Sequence, residues 1–317
     1  MDPNRSVTGQ KPITLKRGQA SVFDLIDGNI AAGMALAGAK TVYYVDGNAG
    51  SDTGNTGTES WDNAYKTLAV AFAASHADIA SGKFGFAARN VILCRGDWFV
   101  EDLVLGCQKT DVIGVGSCDG FKGAGVTGNF AFATTTAHGT RFYNMIFRPT
   151  AAAAIFTLTS TTVAIEFHNC TFLAAGTLEA TCAIDATASS WLVVDGCDFM
   201  GAFSGDVIDI GAGSADGTRI VNNTIIGGAD NGIVITGVAT ITDTRRGLIA
   251  NNFISVADKT IDTRAVSVFD TVGNRLISAE AVGASSYVID LTYAADNILT
   301  GNDIGVRIPS ITDITTA

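Results

Sequence analysis

The sequence predicts an all-β fold, a parallel β-helix in which successive coils of the chain stack on one another. Two observations lead to this prediction: a four-residue phrase recurs at a nearly constant spacing, and the runs around it are short and rich in β-branched residues. The phrase is Asn or Gly, a mostly small or polar residue, any residue, and then Phe, Ile or Leu. Its copies start at Asn144, Asn169, Gly196, Asn222, Asn251, Gly273 and Gly301. Their spacings of 25, 27, 26, 29, 22 and 28 residues indicate a solenoid, whose repeats bury apolar surface by stacking on their neighbours.

Each copy of the phrase predicts a tight bend between two short strands. The residue two positions before the phrase and the last residue of the phrase are apolar, apart from Thr271, so both are expected to face the interior. Asn or Gly stands between them, and these residues adopt a left-handed backbone at little cost. A period of roughly 26 residues suits a coil of three strands, each of about 4–6 residues, with turns between them.

Two other architectures fit this pattern less well. A leucine-rich repeat would show a regular leucine frame and helical segments between its strands, and the sequence has neither. An antiparallel sandwich remains an alternative, but that architecture has no reason to keep one phrase in register through seven copies.

The second residue of the phrase predicts a buried polar column. In coils stacked about 4.8 Å apart, the Asn residues at this position would form a hydrogen-bonded ladder. Cys170 and Cys197 would be neighbours in the same column, either as a disulfide or, more usually, as two small buried thiols. The column contains Met145, Cys170, Cys197, Asn223, Asn252, Asn274 and Asn302.

Composition narrows the class of protein. The 317 residues carry a net charge of −11, only 16% of them are charged, and 36 are Gly, which fits a β-solenoid with small residues in its turns. The acidity argues against nucleic acid as a partner, since phosphate binding needs clustered Lys and Arg.

The sequence also lacks the usual signals for membranes and secretion. It contains no apolar run of about 18 residues, the length that predicts a membrane span. The start M-D-P-N-R-S lacks the basic and then apolar order of a secretory signal. The six Cys show no paired zinc-site spacing, so we expect synthesis in a reducing compartment.

Residues 1–40 differ from the remainder of the chain and lack the repeated phrase. They carry five basic and three acidic side chains, a net charge of +2 that leaves −13 for the other residues. We interpret them as a separate arm, with one short helix between Ala20 and Met34, that lies against another surface in an assembly. The basic residues proposed to dock the arm are Arg5, Lys11, Lys16 and Arg17.

The segment after the arm carries a family resemblance. Residues 42–74 read V-Y-Y-V-D-G-N-A-G-S-D-T-G-N-T-G-T-E-S-W-D-N-A-Y-K-T-L-A-V-A-F-A-A. A strand and a Gly/Asp/Asn loop precede an amphipathic stretch, with Asp62 as its predicted N-cap and with Ala64, Leu68, Ala71 and Phe72 on one face. This segment resembles the start of right-handed parallel β-helix proteins of the pectate-lyase-like superfamily, in which a helix covers the open end of the solenoid.

The resemblance extends to about residue 308, because V-I-L-C-R-G-D-W-F-V-E-D-L-V-L from Val91 and D-V-I-G-V-G-S from Asp111 resemble the first coils of that family. It implies a right-handed parallel β-helix with an N-terminal capping helix. We therefore divide the chain into a docking arm (1–40), a first strand, Gly/Asp loop and capping helix (41–90), and a β-helix with a short C-terminal cap (91–317). The superfamily includes lyases, hydrolases, epimerases and phage proteins without known catalysis, so the resemblance predicts fold more sharply than activity.

One outward patch carries candidate chemistry. Stacking predicts that Arg141, Tyr143, Glu166, His168 and Asp195 lie together over three coils. In an enzyme, Glu166, His168 and Asp195 would be the catalytic candidates, and Arg141 and Tyr143 would bind a glycan. The same residues would equally form a salt-bridged strand face, with Arg141 beside Glu166 and His168 beside Asp195.

A second group of oxygen-bearing side chains suggests calcium chemistry. Asp46, Asn48, Asp52 and Asn55 lie among glycines, as calcium ligands often do. Their spacing differs from that of an E-F hand, and the loop of the family is usually a structural turn. We therefore expect no metal and no cofactor.

These observations favour a structural virion protein of a tailed phage, either a capsid decoration protein or a short spike. We expect the arm to dock on a capsid or tail protein, the β-helix to project outward, and the protein to be made in the host cytoplasm and carried in the virion. Resemblance to phage β-helices implies a homotrimer. Two alternatives remain: a polysaccharide lyase or hydrolase (a depolymerase), and a non-catalytic adhesin that binds a surface glycan.

Overall fold

The structure, a computed structural model, describes residues 39–80, 89–96, 98–105, 109–132, 138–158, 164–174, 179–187, 191–211, 217–228, 230–236, 247–263, 269–278, 289–290 and 298–306. These residues form an all-β parallel solenoid with a single α-helix, consistent with the expected right-handed β-helix. The predicted short helix and the docking residues of the arm, Arg5, Lys11, Lys16 and Arg17, lie outside the described residues.

Three parallel sheets run the length of the described solenoid. Sheet 1 contains, in spatial order, β1 (Ala39–Asp46), β2 (Arg89–Arg95), β5 (Thr110–Gly114), β10 (Arg141–Tyr143), β13 (Glu166–His168), β16 (Val193–Asp195), β19 (Arg219–Val221), β22 (Gly247–Ala250), β25 (Phe269–Val272) and β28 (Ile298–Thr300). Sheet 2 contains β3 (Phe99–Val100), β8 (Ala124–Thr127), β11 (Met145–Arg148), β14 (Thr171–Ala174), β17 (Asp198–Gly201), β20 (Thr224–Ile226), β23 (Phe253–Val256), β26 (Arg275–Ser278) and β29 (Asp303–Val306).

Sheet 3 completes each coil. It contains β4 (Leu103–Val104), β9 (Phe130–Phe132), β12 (Phe156–Leu158), β15 (Ile184–Ala186), β18 (Ile208–Ile210), β21 (Ile233–Ile235), β24 (Ile261–Thr263) and β27 (Ile289–Asp290). The remaining elements are a 3-10 helix (Trp61–Asn63), helix α1 (Leu68–Ala80) and an antiparallel hairpin of β6 (Ser117–Cys118) and β7 (Phe121–Lys122). Three strands per coil is the arrangement that the period of the phrase predicts.

The repeated phrase forms the corner between sheet 1 and sheet 2. Its first residue has a left-handed backbone in all seven copies, with φ between 51° and 66°. In each copy a sheet 1 strand ends just before this residue, and a sheet 2 strand begins one or two residues after it. The predicted order of strand, tight bend and strand is therefore confirmed.

The two apolar columns that flank the corner form the core. Their described members are at most 1% exposed: Phe142, Phe167, Val194, Ile220, Ile249 and Thr271 in sheet 1, and Phe147, Phe172, Phe199, Ile225, Ile254 and Leu276 in sheet 2. Aromatic rings stack from coil to coil, with centroids 5.3 Å apart for Phe142 and Phe167 and 4.6 Å apart for Phe172 and Phe199. In these two columns phenylalanine predominates from Phe142 to Phe199 and gives way to Ile and Leu further along.

From Cys170 to Asn302, the residue after the corner joins a hydrogen-bonded ladder, and all of these residues except the partly exposed Asn302 are buried. Asn252 Oδ1 accepts hydrogen bonds from the backbone N–H of Asn223 at 2.9 Å and from Asn223 Nδ2 at 3.0 Å. Asn252 Nδ2 donates to Asn274 Oδ1 and to the carbonyl of Ile220, each at 2.9 Å. Asn274 repeats this pattern with Asn302. The predicted asparagine ladder is confirmed.

Two cysteines continue the ladder toward the N-terminal end. The backbone N–H of Cys197 donates to Asn223 Oδ1 at 2.8 Å, and that of Cys170 lies 3.4 Å from Cys197 Sγ. Both are free thiols with 0–1% exposure, and burial raises the pKa of the Cys197 thiol. The structure therefore agrees with two buried thiols and not with a disulfide.

Helix α1 packs against the core at the N-terminal end of the solenoid. Leu68, Ala71 and Phe72 are buried in the main core cluster, as the amphipathic pattern predicts. Covering this end matters because the last coil of a solenoid exposes apolar core.

The prediction that Asp62 is the N-cap of this helix was wrong. Asp62 lies in the 3-10 helix, and α1 starts only at Leu68 because Tyr65 is held beside β1 by hydrogen bonds with Tyr44 and Asp46. The carboxylate of Glu101 caps α1 instead, accepting from the backbone N–H groups of Leu68 and Ala69 at 2.9 Å each. Such a contact satisfies donors that have no partner within the helix.

The ladder generates a stability prediction. We expect Asn252→Ala to lower the free energy of unfolding by about 2–4 kcal/mol, because several buried polar groups lose their partner. Asn251→Gly, one position earlier, is the matched control: Asn251 is an exposed corner residue with φ of 56°, and Gly adopts that backbone freely. Chemical denaturation followed by circular dichroism would measure both, and equal losses in the two variants would contradict the ladder's role.

Candidate functional site

The predicted polar patch lies on the outer face of sheet 1. The strand register places Arg141 beside Glu166 and Tyr143 beside His168, and the next strand places Asp195 beside His168. All five side chains are partly exposed. The structure therefore brings together every residue predicted for this patch.

Glu166 is the centre of the patch. Its Oε1 lies 3.0 Å from Arg141 Nε, and its Oε2 lies 2.9 Å from His168 Nε2. The Arg141 contact is an ion pair rather than an aligned hydrogen bond, because no acceptor lies along the direction of that N–H. The rings of His168 and Tyr143 stack with centroids 4.9 Å apart and planes inclined by 11°. Both carboxylate oxygens are thus engaged by groups of the protein itself.

Asp195 departs from its predicted partner. Its Oδ1 accepts a hydrogen bond from Asn222 Nδ2 at 2.9 Å. His168 bonds Glu166 instead, since residues two apart on one strand point to the same face. His168 and Asp195 are neighbours in the strand register, as expected. Their hydrogen bonds go elsewhere: His168 bonds Glu166 on its own strand, and Asp195 bonds Asn222 at the corner of the next coil.

The charged network continues toward the N-terminal end through two residues that the sequence analysis did not single out. Asp111 is the register partner of Arg141 on the adjoining strand and is only 3% exposed. Arg89 donates from Nε to both oxygens of Asp111 at 3.1 Å, and Nη2 of Arg89 donates to the carbonyl of Gly139 at 2.6 Å. Residues 89–111 carry no copy of the phrase, so the repeated spacing could not place Arg89 and Asp111 on this face.

The electrostatics of the patch favour an ionised Glu166. Burial alone would raise the pKa of Glu166, but the hydrogen bond from His168 and the charge of Arg141 lower it below its ordinary value. Burial and the nearby Asp111 raise the pKa of Tyr143, so its phenol stays protonated. A general acid of a glycosidase needs a raised carboxyl pKa, and Glu166 has the opposite shift.

An apolar cluster borders the patch on the same face. Val91, Leu93 and Ile113 are buried there, and Tyr143 packs against them. The Trp61 ring meets Tyr44 edge to face at 5.0 Å and lies 4.2 Å below the guanidinium of Arg95. Tyr143 therefore joins an aromatic and aliphatic surface to a charged one.

The Gly/Asp loop has the geometry of a structural turn. Asp46 Oδ1 accepts from the backbone N–H groups of Asn48 and Ala49 at 3.0 Å, and its Oδ2 accepts from Arg95 Nε at 2.8 Å. Asp52 Oδ1 accepts from the N–H groups of Lys66 and Thr67 at 2.8 and 3.1 Å. These carboxylate oxygens stabilise the loop by accepting hydrogen bonds from backbone N–H groups and from Arg95. Among the residues that the structure describes, no group of three or more His, Cys, Asp or Glu side chains is placed to bind a metal ion.

Comparisons with known proteins do not assign this chain to a family. No family model matches the sequence, and neither the curated proteins nor the solved structures yield a match. The resemblance to pectate-lyase-like proteins is therefore supported as far as the parallel β-solenoid itself. Separately, the described part of the chain has no helix long and apolar enough to cross a bilayer.

The pKa of Glu166 generates a pH prediction. A carboxyl whose pKa is lowered in the folded state stabilises the fold above its unfolded pKa of about 4.3, and this contribution is lost as the pH falls through the folded value. We expect Glu166→Gln to be less stable than the parent by roughly 1–3 kcal/mol at pH 7, with a gap that shrinks toward pH 3. Urea denaturation at several pH values would measure it.

The exposed Asp198 on sheet 2 provides the control. Asp198→Asn removes one carboxylate charge from an exposed position and should change stability at pH 7 much less than Glu166→Gln does. A Glu166→Gln deficit that stays constant from pH 7 to pH 3 would contradict the ionic role of Glu166.

Proposed function

We propose that this chain is a structural protein without catalytic activity, and that its β-helix serves as a rigid projecting body. The main observation in support is the environment of Glu166. Its two carboxylate oxygens contact Arg141 and His168, and its pKa is lowered. A catalytic carboxylate needs either a proton to give or a free oxygen to attack. This geometry fits a salt-bridged strand face better than an active site.

In its specific form, the proposal places the chain in the virion of a tailed phage, as a capsid decoration protein or a short spike. Two observations support it. Residues 42–74 resemble β-helix proteins that include phage components, and the arm has a net charge of +2 whereas the rest of the chain has −13. An arm of this charge suits the acidic surface of a capsid or tail protein. We propose a homotrimer, made in the host cytoplasm, as the assembled form.

A second candidate, binding of a surface glycan without cleavage, is favoured by one observation. Tyr143 stacks on His168 beside the guanidinium of Arg141, on a partly exposed face. Stacked rings next to a cation suit the apolar face of a sugar that also carries an acidic group. A depolymerase would use the same face, with Glu166, His168 and Asp195 as its catalytic groups.

The docking proposal predicts a charge effect. We expect the combined change Lys11→Glu, Lys16→Glu and Arg17→Glu to remove the full-length protein from particles purified by density gradient, because the arm would then repel an acidic partner. The matched control reverses three cations of the body, Lys66, Arg219 and Arg275, which are exposed. Quantitative mass spectrometry of the particles would measure the copy number. Unchanged attachment of the arm variant, or equal loss in both variants, would contradict docking through the arm.

The glycan proposal predicts a loss of binding. We expect Tyr143→Ala to weaken retention on an anionic polysaccharide up to roughly tenfold, since a stacked ring contributes about 0.5–1.5 kcal/mol. Tyr44→Ala, on the same face but against Trp61, is the control. Affinity electrophoresis over a panel of neutral and anionic polysaccharides would measure retention. Release of oligosaccharides by the parent that is lost in Glu166→Gln would instead establish the depolymerase.

A further inference from the structure

Sheet 3 begins with a strand that is paired on one side only among the described residues. This strand, β4, pairs with β9. The backbone N–H of Leu103 donates to the carbonyl oxygen of Asn129 at 3.1 Å, and that of Leu105 donates to the carbonyl oxygen of Ala131 at 2.7 Å. Backbone groups of successive strand residues point to opposite sides, so the N–H and C=O of Val104 point away from β9. An edge of this kind is a template for one more strand.

A groove of about 370 Å³ lies along this edge. Helix α1 forms one wall through Phe72, Ala73 and His76, and the residues of the β4 segment form the other. The wall is mainly apolar, and the side chain of Val104 is 71% exposed on the outward face. The groove therefore offers backbone hydrogen bonds and an apolar surface together, which is what strand addition requires.

We infer that the arm of this same chain fills the groove, with the segment Ile13–Lys16 added as a strand beside β4. The alternation of the segment supports this assignment: Ile13 and Leu15 would face α1 and the core, while Thr14 and Lys16 would face outward beside Val104. The segment thus matches a sheet with one buried face and one open face.

Position and reach also favour the arm as the occupant. The arm joins the solenoid at Ala39, the first residue of β1, and β1 and β4 are terminal strands at the same end of their sheets. The roughly 20 residues between Lys16 and Ala39 can span up to about 70 Å when extended, far more than one coil requires. Charge is complementary, since the arm carries +2 and the groove carries the exposed Asp102.

This inference does not depend on the virion proposal. A docked Ile13–Lys16 segment would cover the solenoid end, keep the outward-facing Lys16 and the following Arg17 accessible to a partner, and leave Arg5 and Lys11 ahead of it. The two ideas fail separately, because one concerns contacts within the isolated protein and the other concerns attachment to particles.

Site-specific photo-cross-linking of the full-length protein tests the inference. The photoreactive residue p-benzoylphenylalanine replaces Val104 in one sample and Val100 in the other; Val100 is 73% exposed on β3 and is not part of the groove wall. After irradiation and digestion, mass spectrometry identifies the cross-linked peptides. We expect position 104 to capture the peptide that contains Ile13–Lys16 several-fold more often than position 100 does.

Two controls sharpen the result. Leu15→Asp should reduce the cross-link from position 104 by roughly tenfold or more, because a carboxylate would face the apolar groove, whereas Thr14→Asp should retain it. Mixing isotope-labelled and unlabelled chains separates contacts within one chain from contacts between copies. Capture of residues 81–88, capture of the arm of a second copy, equal capture from positions 100 and 104, or no capture at all would each overturn the inference.

Discussion

Every coil with the repeated phrase is organised around a left-handed corner and the residue that follows it. The corner fixes where each sheet 1 strand stops and where each sheet 2 strand starts, so inserts elsewhere in a coil can vary without disturbing the stack. Packing around the corner is tight: a Cβ on Gly196 would lie 2.7 Å from Asn169 Oδ1, and one on Gly273 would lie 2.8 Å from Asn251 Oδ1. Below the corner, the Asn and Cys column satisfies the buried backbone groups that a turn would otherwise leave without partners.

The same register determines what the outer face of sheet 1 can do. Side chains in one column recur at about the strand spacing of 4.7–4.9 Å, so charges of opposite sign on neighbouring strands pair almost unavoidably. Asp111, Arg141 and Glu166 follow one another in such a column and alternate in sign. Arg89 reaches Asp111 diagonally from two positions before its register partner Val91, and His168 completes the set. A face built this way stabilises the stack and lowers the pKa of its central carboxylate, which is the opposite of the shift that a general acid needs.

Sequence reasoning succeeded where periodicity fixes position and failed where a contact depends on individual side chains that the repeated spacing does not relate. The corner, the two core columns, the asparagine ladder and the members of the polar patch all follow from one repeated spacing. The cap of α1 could not be predicted, because Glu101 reaches Leu68 across 33 positions of sequence and no periodic signal relates them. The partner of Asp195 was mistaken because register gives neighbours, whereas side-chain length and corner geometry select Asn222 over His168. Arg89 and Asp111 were missed because the first coils lack the phrase.

The buried column beneath the corners holds the coils in register, and native-state hydrogen exchange can measure this at individual backbone amides. The backbone amides of Cys197, Asn223, Asn252 and Asn274 each donate to an Asn side chain of the next coil. We expect these four amides to be among the slowest to exchange, because they would open only with global unfolding. Exchange as fast as that of exposed loop amides, such as Gly54 or Ala152, would show that the corners open independently of the core.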